Sequence, residues 1–151
     1  RGQRELTSGA FYSMGVAIPL AIGAAFTETD KTIVVVTGDG SIELNIQELR
    51  TISQYMLNIK IFVINNGGYA SIRKSQDDMA DGRYTDDIEV LDFKKIADAF
   101  ELEYLLLEDA GSLKSKILKT FERREPVLAE VLCDPDQTIL NSFKTVDALL
   151  K

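Results

Sequence analysis

Apolar and polar positions along the chain follow two alternating periods, which predict alternating strands and helices. Four short runs rich in β-branched residues or leucine predict strands, over residues 32–37, 59–64, 103–107 and 126–132. Apolar residues at three- and four-residue spacings predict helices, over residues 16–26, 42–56, 92–100 and 112–124. This alternation is typical of an α/β domain, so we expect a parallel central sheet with helices on both faces.

Two stretches lack a regular period. Residues 75–89 are rich in aspartate and predict an irregular, solvated loop, an interpretation we prefer to a second metal site. The tail from Asp134 onward follows the last predicted strand. A length of 151 residues predicts one domain, in which residues 1–12 and 134–151 are peripheral segments.

Composition excludes several classes of function. The formal net charge of -7 argues against nucleic acid and anionic membrane surfaces as partners, because both would repel an acidic surface. The chain has no histidine, which excludes His-ligated zinc and histidine general bases, and its apolar runs are too short to span a bilayer. Cys133 is the single cysteine, so no internal disulfide can form, as is typical of the cytoplasm. Because the sequence begins at Arg1 without an initiator methionine, we expect a fragment or a processed chain.

Polar and glycine residues follow two of the predicted strands at the point where each strand ends. Gly38-Asp39-Gly40-Ser41 comes directly after the first strand, and Asn65-Asn66-Gly67-Gly68-Tyr69 comes directly after the second. The carboxyl ends of neighbouring parallel strands meet at one edge of a sheet, where α/β domains bind their ligands. Carboxylate and amide oxygens, here from Asp39 and Asn66, are ligands that Mg²⁺ prefers and often shares with phosphates.

The glycines and the next helix also suit a phosphate group. Gly38 and Gly40 would let the backbone approach a phosphate without an intervening side chain. A helix that starts near Ser41 would direct free backbone N–H groups at the same point. An acidic protein could therefore hold a diphosphate through a metal ion and amide donors.

The spacing of the two clusters resembles that of thiamine-diphosphate enzymes. G-D-G, 24 intervening residues and N-N form the pattern of that family, whereas G-D-G alone would suit an ordinary turn. The resemblance implies that Asp39, the Asn66 side chain and the backbone carbonyl of Gly68 ligate Mg²⁺. It also implies that the diphosphate of the cofactor is bound by residues of both clusters: Gly38, Gly40, Ser41, Asn66, Gly68 and Tyr69.

An upstream segment resembles acetolactate synthases more narrowly. Ser13-Met14-Gly15, with Ile18-Pro19 and 21–24 after it, is similar to the family segment G-x-M-G…L-P-A-A-I-G-A. The resemblance implies that Ser13 and Met14 contact the cofactor. Met14 would be the apolar wedge that holds the cofactor in its bent V shape, and is in that sense the catalytic residue of this chain. Tyr12 departs from the family, which usually has glycine there.

The same resemblance covers nearly the whole chain, from about Ser13 to about Gln137. It includes residues 68–73, residues 92–97 and the closing segment from Pro126 to Asp136. Three polar residues that match a helix of the family are interpreted as structural: Asn45, Gln47 and Glu48. Arg73 has two open interpretations, a contact with a substrate carboxylate across an interface or a surface ion pair.

The resemblance identifies the chain as the C-terminal diphosphate-binding domain of a longer enzyme. It implies thiamine diphosphate and Mg²⁺ as cofactors, with FAD open for the full-length enzyme. The reaction would be decarboxylation of a 2-oxo acid, with pyruvate as first choice, followed by ligation to a second carbonyl compound. A simple 2-oxo acid decarboxylase and a non-catalytic cofactor-binding scaffold remain alternatives.

The expected partner is a pyrimidine-binding domain of the same or a second chain. That domain would supply the catalytic glutamate, usually across a homodimer or homotetramer interface. We therefore expect the isolated chain to be inactive, in a cytoplasmic enzyme without nucleic acid or membrane partners.

Overall fold

A four-stranded parallel sheet forms the centre of the computed structural model, which describes residues 2–84 and 89–137. The strands are β1 (Ile33–Gly38), β2 (Ile59–Asn65), β3 (Glu103–Leu107) and β4 (Val127–Leu132), and their order across the sheet is β1-β2-β4-β3. Every neighbouring pair is parallel. The predicted parallel sheet is confirmed, and so is the expectation that the first two strands are neighbours.

Within the described residues, six α-helices connect or flank the strands. Their bounds are α1 (Ala17–Thr27), α2 (Asp39–Glu43), α3 (Leu49–Gln54), α4 (Ala70–Met79), α5 (Phe93–Ala99) and α6 (Ala110–Thr120). Aspartates cap the last two of them, since Asp92 accepts from the Lys95 amide and Asp109 accepts from the Gly111 and Ser112 amides. In the part of the chain that the structure describes, no helix is both long and apolar enough to cross a membrane.

Two hydrophobic clusters cover opposite faces of the sheet, so helices lie on both faces as predicted. Residues of α1, α3 and α5 pack on one face against β2 and β4 residues that include Ile61 and Leu128. On the other face, Leu113 and Ile117 of α6 pack against Phe62, Leu107, Val127 and Ala129. This second layer stops short of β1, an edge strand whose Val34 and Val36 side chains are exposed.

The single helix predicted over residues 42–56 is wrong, because this segment is broken in the middle. Helix α2 ends at Glu43, a short 3-10 turn follows at Ile46–Glu48, and α3 begins at Leu49. Asn45 has an extended-like φ of -141° and donates its side-chain amide to the Gly15 carbonyl, 3.0 Å away. The apolar period misled the prediction because Ile42, Leu49 and Ile52 are all buried although the helix does not continue.

The irregular loop predicted over residues 75–89 is also wrong in its first part, where α4 continues to Met79. Arg73 is the one buried residue of this helix, so its sequence has no apolar stripe from which a helical period could be recognised. Lys74 and Asp78 pair along its exposed side at 2.7 Å. Residues 85–88, and residues 138–151 of the tail that was predicted to be peripheral, lie outside the described residues.

Candidate functional site

The two polar clusters lie side by side because of the register of β1 and β2. Gly38 at the end of β1 is paired with Ile64 of β2, so Asp39 and Asn66 each follow their strand at the same edge of the sheet. Helix α2 begins at Asp39 itself, two residues earlier than the predicted start near Ser41. The two loops therefore meet where α/β domains bind ligands.

Asp39 is the centre of the contact between these loops. Its side chain is buried, with 3% of the residue exposed. One carboxylate oxygen, Oδ1, accepts from the Gly40 amide at 2.8 Å, and the other, Oδ2, accepts from the amides of Asn66 at 3.0 Å and Gly68 at 2.8 Å. A carboxylate has about four lone-pair positions, so three amide bonds leave capacity for a cation. The Gly40 amide is occupied by Asp39, so it is not among the free N–H groups expected at the start of this helix.

Asn66 presents an oxygen that needs a partner. Its Oδ1 atom is buried and has no hydrogen-bond donor among the described residues. A buried acceptor left unsatisfied costs about 1–3 kcal/mol, so such atoms in folded proteins usually mark a site for an ion, a water molecule or a ligand. Together with the neighbouring Asp39 carboxylate, this amide oxygen fits Mg²⁺, which binds hard oxygen ligands.

The acidic side chains that the structure describes do not enclose a metal ion by themselves. Across residues 2–84 and 89–137, no three Asp, Glu, His or Cys side chains cluster closely enough to hold one. A cation at Asp39 would therefore depend on neutral oxygens and on an anionic ligand, as is common for Mg²⁺. Glu43, one helical turn after Asp39, has a raised pKa because it is partly buried and because it lies near the Asp39 charge.

The loop after β2 has an uncommon backbone. Gly67, Gly68 and Tyr69 have φ values of 79°, 83° and 49°, so three successive residues are left-handed. Glycine adopts this conformation without steric cost, which explains the Gly-Gly pair. Tyr69 adopts it at a steric cost, because it has a Cβ atom. Asn65 accepts from the Gly67 amide at 3.2 Å, so the side chain before the loop also supports it.

Arg73 does not form the surface ion pair that was one of its two interpretations, whereas the contact with a substrate carboxylate across an interface stays a prediction. It is 8% exposed, and its guanidinium donates to the carbonyls of Gly67 at 2.7 Å and Asn66 at 2.9 Å. Its donors are therefore used inside the domain and not in a surface ion pair. Sequence reasoning missed this role because an arginine six residues after a glycine loop has no distinctive pattern.

The glycines of the first cluster have different surroundings. A Cβ atom added to Gly40 would lie 2.8 Å from Cζ of Tyr69, so the phenol ring packs directly against this residue. The close approach that was predicted for a phosphate at Gly40 is thus made here by Tyr69. A Cβ atom added to Gly38 would meet no atom within 4 Å, which leaves open space in front of it.

Ser41 connects the first cluster with the Met14 segment. Its Oγ accepts from the Gly15 amide at 2.9 Å, and Asn45 donates to the carbonyl of the same Gly15. The hydrogen bond to Gly15 supports the structural interpretation of Asn45. Ser41, which was predicted to contact the diphosphate, bonds Gly15 here. Gly15 has a φ of 80°, and a Cβ atom there would lie 2.8 Å from Cβ of Leu44.

Ser13 and Met14 directly precede Gly15, the residue that Ser41 and Asn45 bond. Met14 is 43% exposed, which leaves its side chain free to contact a ligand, and the Ser13 amide donates to Ser8 Oγ at 2.8 Å. Tyr12, at the position where the resemblance leads one to expect glycine, has left-handed φ and ψ values of 43° and 44°. The backbone conformation suited to glycine is retained, and the 81%-exposed tyrosine side chain points away from the core.

A buried polar network behind the loop was also missed by sequence reasoning. Glu130 of β4 accepts from Tyr104 Oη at 2.5 Å and from Asn65 Nδ2 at 2.6 Å. Burial, followed by the hydrogen bond to Glu130 and its charge, raises the pKa of Tyr104. The sequence feature that could have indicated this network is Glu130, a charged residue inside the apolar run of the last strand. Through Asn65, this network reaches the Gly67 amide.

Comparison with known proteins decides the family. The chain matches the family described as "Thiamine pyrophosphate enzyme, C-terminal TPP binding domain" over residues 1–131. It belongs to this family. The predicted resemblance is confirmed, and the G-D-G and N-N clusters are those of a thiamine pyrophosphate (thiamine diphosphate)-binding domain.

Individual relatives are all much longer than this TPP-binding domain. The acetolactate synthase large subunit of Cyanidium caldarium is 35% identical over 130 residues, which cover 84% of this chain and 22% of the relative. Isozyme 3 of the same subunit from Escherichia coli is 32% identical over 123 residues, covering 80% of this chain and 21% of the relative. A 2-hydroxyacyl-CoA lyase of Oryza sativa is 31% identical over 138 residues, which cover 87% of this chain and 24% of the relative. The chain thus spans less than a quarter of the length of these relatives.

Proposed function

We propose that this domain binds the Mg²⁺–diphosphate end of thiamine diphosphate at the edge formed by β1 and β2. The metal ligands are the Asp39 carboxylate, the Asn66 amide oxygen and the Gly68 carbonyl. The observation that supports this most directly is the buried Asn66 Oδ1, which has no donor among the described residues and belongs to a residue whose backbone amide is bonded to the buried Asp39 carboxylate. A cation at this point would satisfy both groups at once, because each needs positive charge in a water-poor environment.

The diphosphate then lies in front of Gly38, where the chain leaves open space. Gly40, Ser41 and Tyr69 border the same edge, and Ser13 and Met14 would form its rim. The exposed side chain of Met14 would be the apolar wedge that contacts the rings of the cofactor. Ser41 contributes through Gly15, because its hydrogen bond holds the turn that carries Met14.

When bound, thiamine diphosphate supplies the nucleophilic carbon and the electron sink for cleaving a bond next to a carbonyl group. The residues of this domain anchor and orient that group. Asp39 and Asn66 would hold the metal, and Met14 would support the rings of the cofactor. The glutamate that activates the cofactor is assigned to a pyrimidine-binding domain of the same or a second chain, in a homodimer or homotetramer in the cytoplasm.

The complete enzyme is proposed to decarboxylate a 2-oxo acid such as pyruvate and to join the product to a second carbonyl compound, as acetolactate synthases do. The identities to acetolactate synthase large subunits support this choice. FAD in a middle domain is part of the same proposal. A simple 2-oxo acid decarboxylase is the closest alternative within the family.

A second candidate is cleavage of a 2-hydroxyacyl thioester, because the rice 2-hydroxyacyl-CoA lyase is nearly as similar as the synthases. A non-catalytic scaffold is disfavoured, since the chain has both proposed metal-site side chains, Asp39 and Asn66, on loops that are hydrogen-bonded to each other. Assay of the full-length protein with pyruvate, reading acetolactate against acetaldehyde, and with a 2-hydroxyacyl-CoA separates these reactions. Product from the thioester alone would overturn the synthase assignment.

The binding proposal is tested by calorimetric titration of the full-length protein with thiamine diphosphate and Mg²⁺. Asp39→Ala should abolish most of the binding, because the metal joins the protein to the phosphates. Asp30→Ala, which removes an exposed carboxylate outside the site, is the matched control and should bind normally. Unchanged affinity in Asp39→Ala would contradict the assignment of the metal site.

A further inference from the structure

The loop that carries Asn66 is held from two opposite sides by two buried charged residues. Asp39 accepts from the amides of Asn66 and Gly68, and Arg73 donates to the carbonyls of Asn66 and Gly67. Both charged side chains are at least nine-tenths buried. The N–H groups of Asn66 and Gly68 are therefore directed at a carboxylate, and the carbonyls of Asn66 and Gly67 are directed at a guanidinium.

Arg73 is placed so that its guanidinium can bond two carbonyls of the loop at once. It lies in the first turn of α4, where its own amide donates to the Tyr69 carbonyl at 3.0 Å, and its side chain returns to the loop that precedes the helix. A guanidinium is a planar fork, so two of its nitrogens can donate to two carbonyls at the same time. Among the described residues, no carboxylate lies within salt-bridge distance of Arg73, so the carbonyls are its main partners.

The backbone of the loop needs such support. Three successive left-handed residues, Gly67 to Tyr69, include two glycines that lose much conformational freedom when ordered. With the carbonyls of Asn66 and Gly67 bonded to Arg73, those two oxygens are withdrawn from the metal site. The buried Asn66 side-chain oxygen and the Gly68 carbonyl are then the neutral oxygens that remain for the proposed metal site.

From this geometry we infer that Arg73 is a positioning residue for the metal site. It fixes the orientation of the Asn66 and Gly67 peptides and thereby the direction of the Asn66 side chain. This inference rests on the proposed function, since it assumes that Asn66 and Asp39 ligate Mg²⁺. Partners that orient metal ligands from behind typically change metal affinity 10- to 100-fold when removed.

The test compares Arg73→Lys and Arg73→Gln in the full-length enzyme. The measurement is the Mg²⁺ concentration that gives half-maximal binding of thiamine diphosphate. We expect an increase of about tenfold or more for Arg73→Lys, because an ammonium group is a point donor that cannot reproduce the fork. Saturating Mg²⁺ should restore cofactor binding in Arg73→Lys, whereas a folding defect would not respond to the metal.

The neighbouring Lys74 provides the control on the same helix, because it is exposed and pairs with Asp78. Lys74→Gln should leave the Mg²⁺ dependence unchanged. A normal Mg²⁺ dependence in both Arg73 variants, with a strong effect of Asp39→Ala, would overturn the role of Arg73 alone. A normal Mg²⁺ dependence in Asp39→Ala would instead overturn the proposed metal site. Loss of folding in both Arg73 variants, or a defect that saturating Mg²⁺ does not correct, would show that Arg73 serves the fold and would likewise overturn this inference.

Discussion

Ser41 Oγ accepts a hydrogen bond from the Gly15 amide across 2.9 Å, and this contact joins two segments 26 residues apart in the chain. One segment carries Asp39 and the other carries Met14. Their relative position therefore depends on a short hydroxyl group at the start of α2. The proposed metal ligand Asp39 and the exposed Met14 are thus connected through one hydrogen bond before any ligand arrives.

Replacing Ser41 with alanine should loosen the turn that carries Met14. The Gly15 amide would lose its acceptor, at a cost of about 1 kcal/mol in the free energy of unfolding. Cofactor affinity should fall several-fold, measured by titration of the full-length enzyme. Ser115→Ala is the control, because that hydroxyl bonds its own helix on an exposed surface. Equal affinities of the two variants would show that Ser41 does not set the position of Met14.

Gly38 and Gly40 should respond differently to a single added methyl group. Gly38→Ala places the methyl in open space at an ordinary φ of -80°, so the fold should keep its stability while the cofactor binds more weakly. Gly40→Ala places it 2.8 Å from the Tyr69 ring, so the ring must move and the melting temperature should fall. Thermal melts and cofactor titrations of both variants test this pair. The double variant Gly40→Ala/Tyr69→Ala should recover part of the lost stability, because the clash is removed.

Tyr12 holds a left-handed backbone conformation at which glycine is normally preferred. Tyr12→Gly should raise the free energy of unfolding by about 1 kcal/mol, since this conformation costs roughly that much for a residue with a Cβ atom. Little packing is lost because the side chain is exposed. Urea unfolding of the full-length protein measures the change. Tyr12→Ala should show no such gain in the free energy of unfolding. An equal gain in Tyr12→Ala would show that removal of the aromatic ring, and not relief of the backbone, is the cause.

Tyr104 should make the protein sensitive to alkaline pH. Its pKa is raised in the folded state, above its ordinary value of about 10, by burial and by Glu130. As the pH rises through this value, the unfolded chain releases the phenol proton while the folded chain retains it, so stability falls. Below about pH 10 both states keep the phenol proton, so the raised pKa of Tyr104 causes no loss of stability there. Urea unfolding at pH 8 and pH 11 should show a smaller alkaline loss in Tyr104→Phe than in the original protein.

At pH 8 the same variant should be less stable by about 2 kcal/mol, because one oxygen of the buried Glu130 loses its donor. Tyr84→Phe is a suitable comparison, since that phenol is exposed. If Tyr104→Phe and the original protein lost stability equally on going to high pH, the raised pKa would not be the cause.

The sheet and the position of the site could be predicted from the sequence for a simple physical reason. Buried parallel strands such as β2 are continuous apolar runs, and a ligand edge forms wherever polar residues follow them. The spacing of Asp39 and Asn66 then specified the family, which the comparison over residues 1–131 confirmed. The roles of the individual site residues in cofactor binding remain predictions.

The parts that escaped prediction depend on contacts between distant residues. The break at Asn45 arises from its bond to Gly15, 30 residues away, which no local period contains. Helix α4 buries a charged residue, Arg73, where a pattern based on apolar positions expects none. The link from Glu130 to Asn65 spans 65 residues and exists only because β2 and β4 are neighbours.

The exposed valines of β1 have a practical consequence for work with the isolated 151-residue chain. Val34 and Val36 stand on a strand whose second edge is unpaired within the described sheet. Unprotected apolar strands of this kind recruit further copies and promote aggregation. Light scattering that grows with protein concentration would therefore be expected of this chain alone, and a lysine placed at Val36 should keep it dispersed.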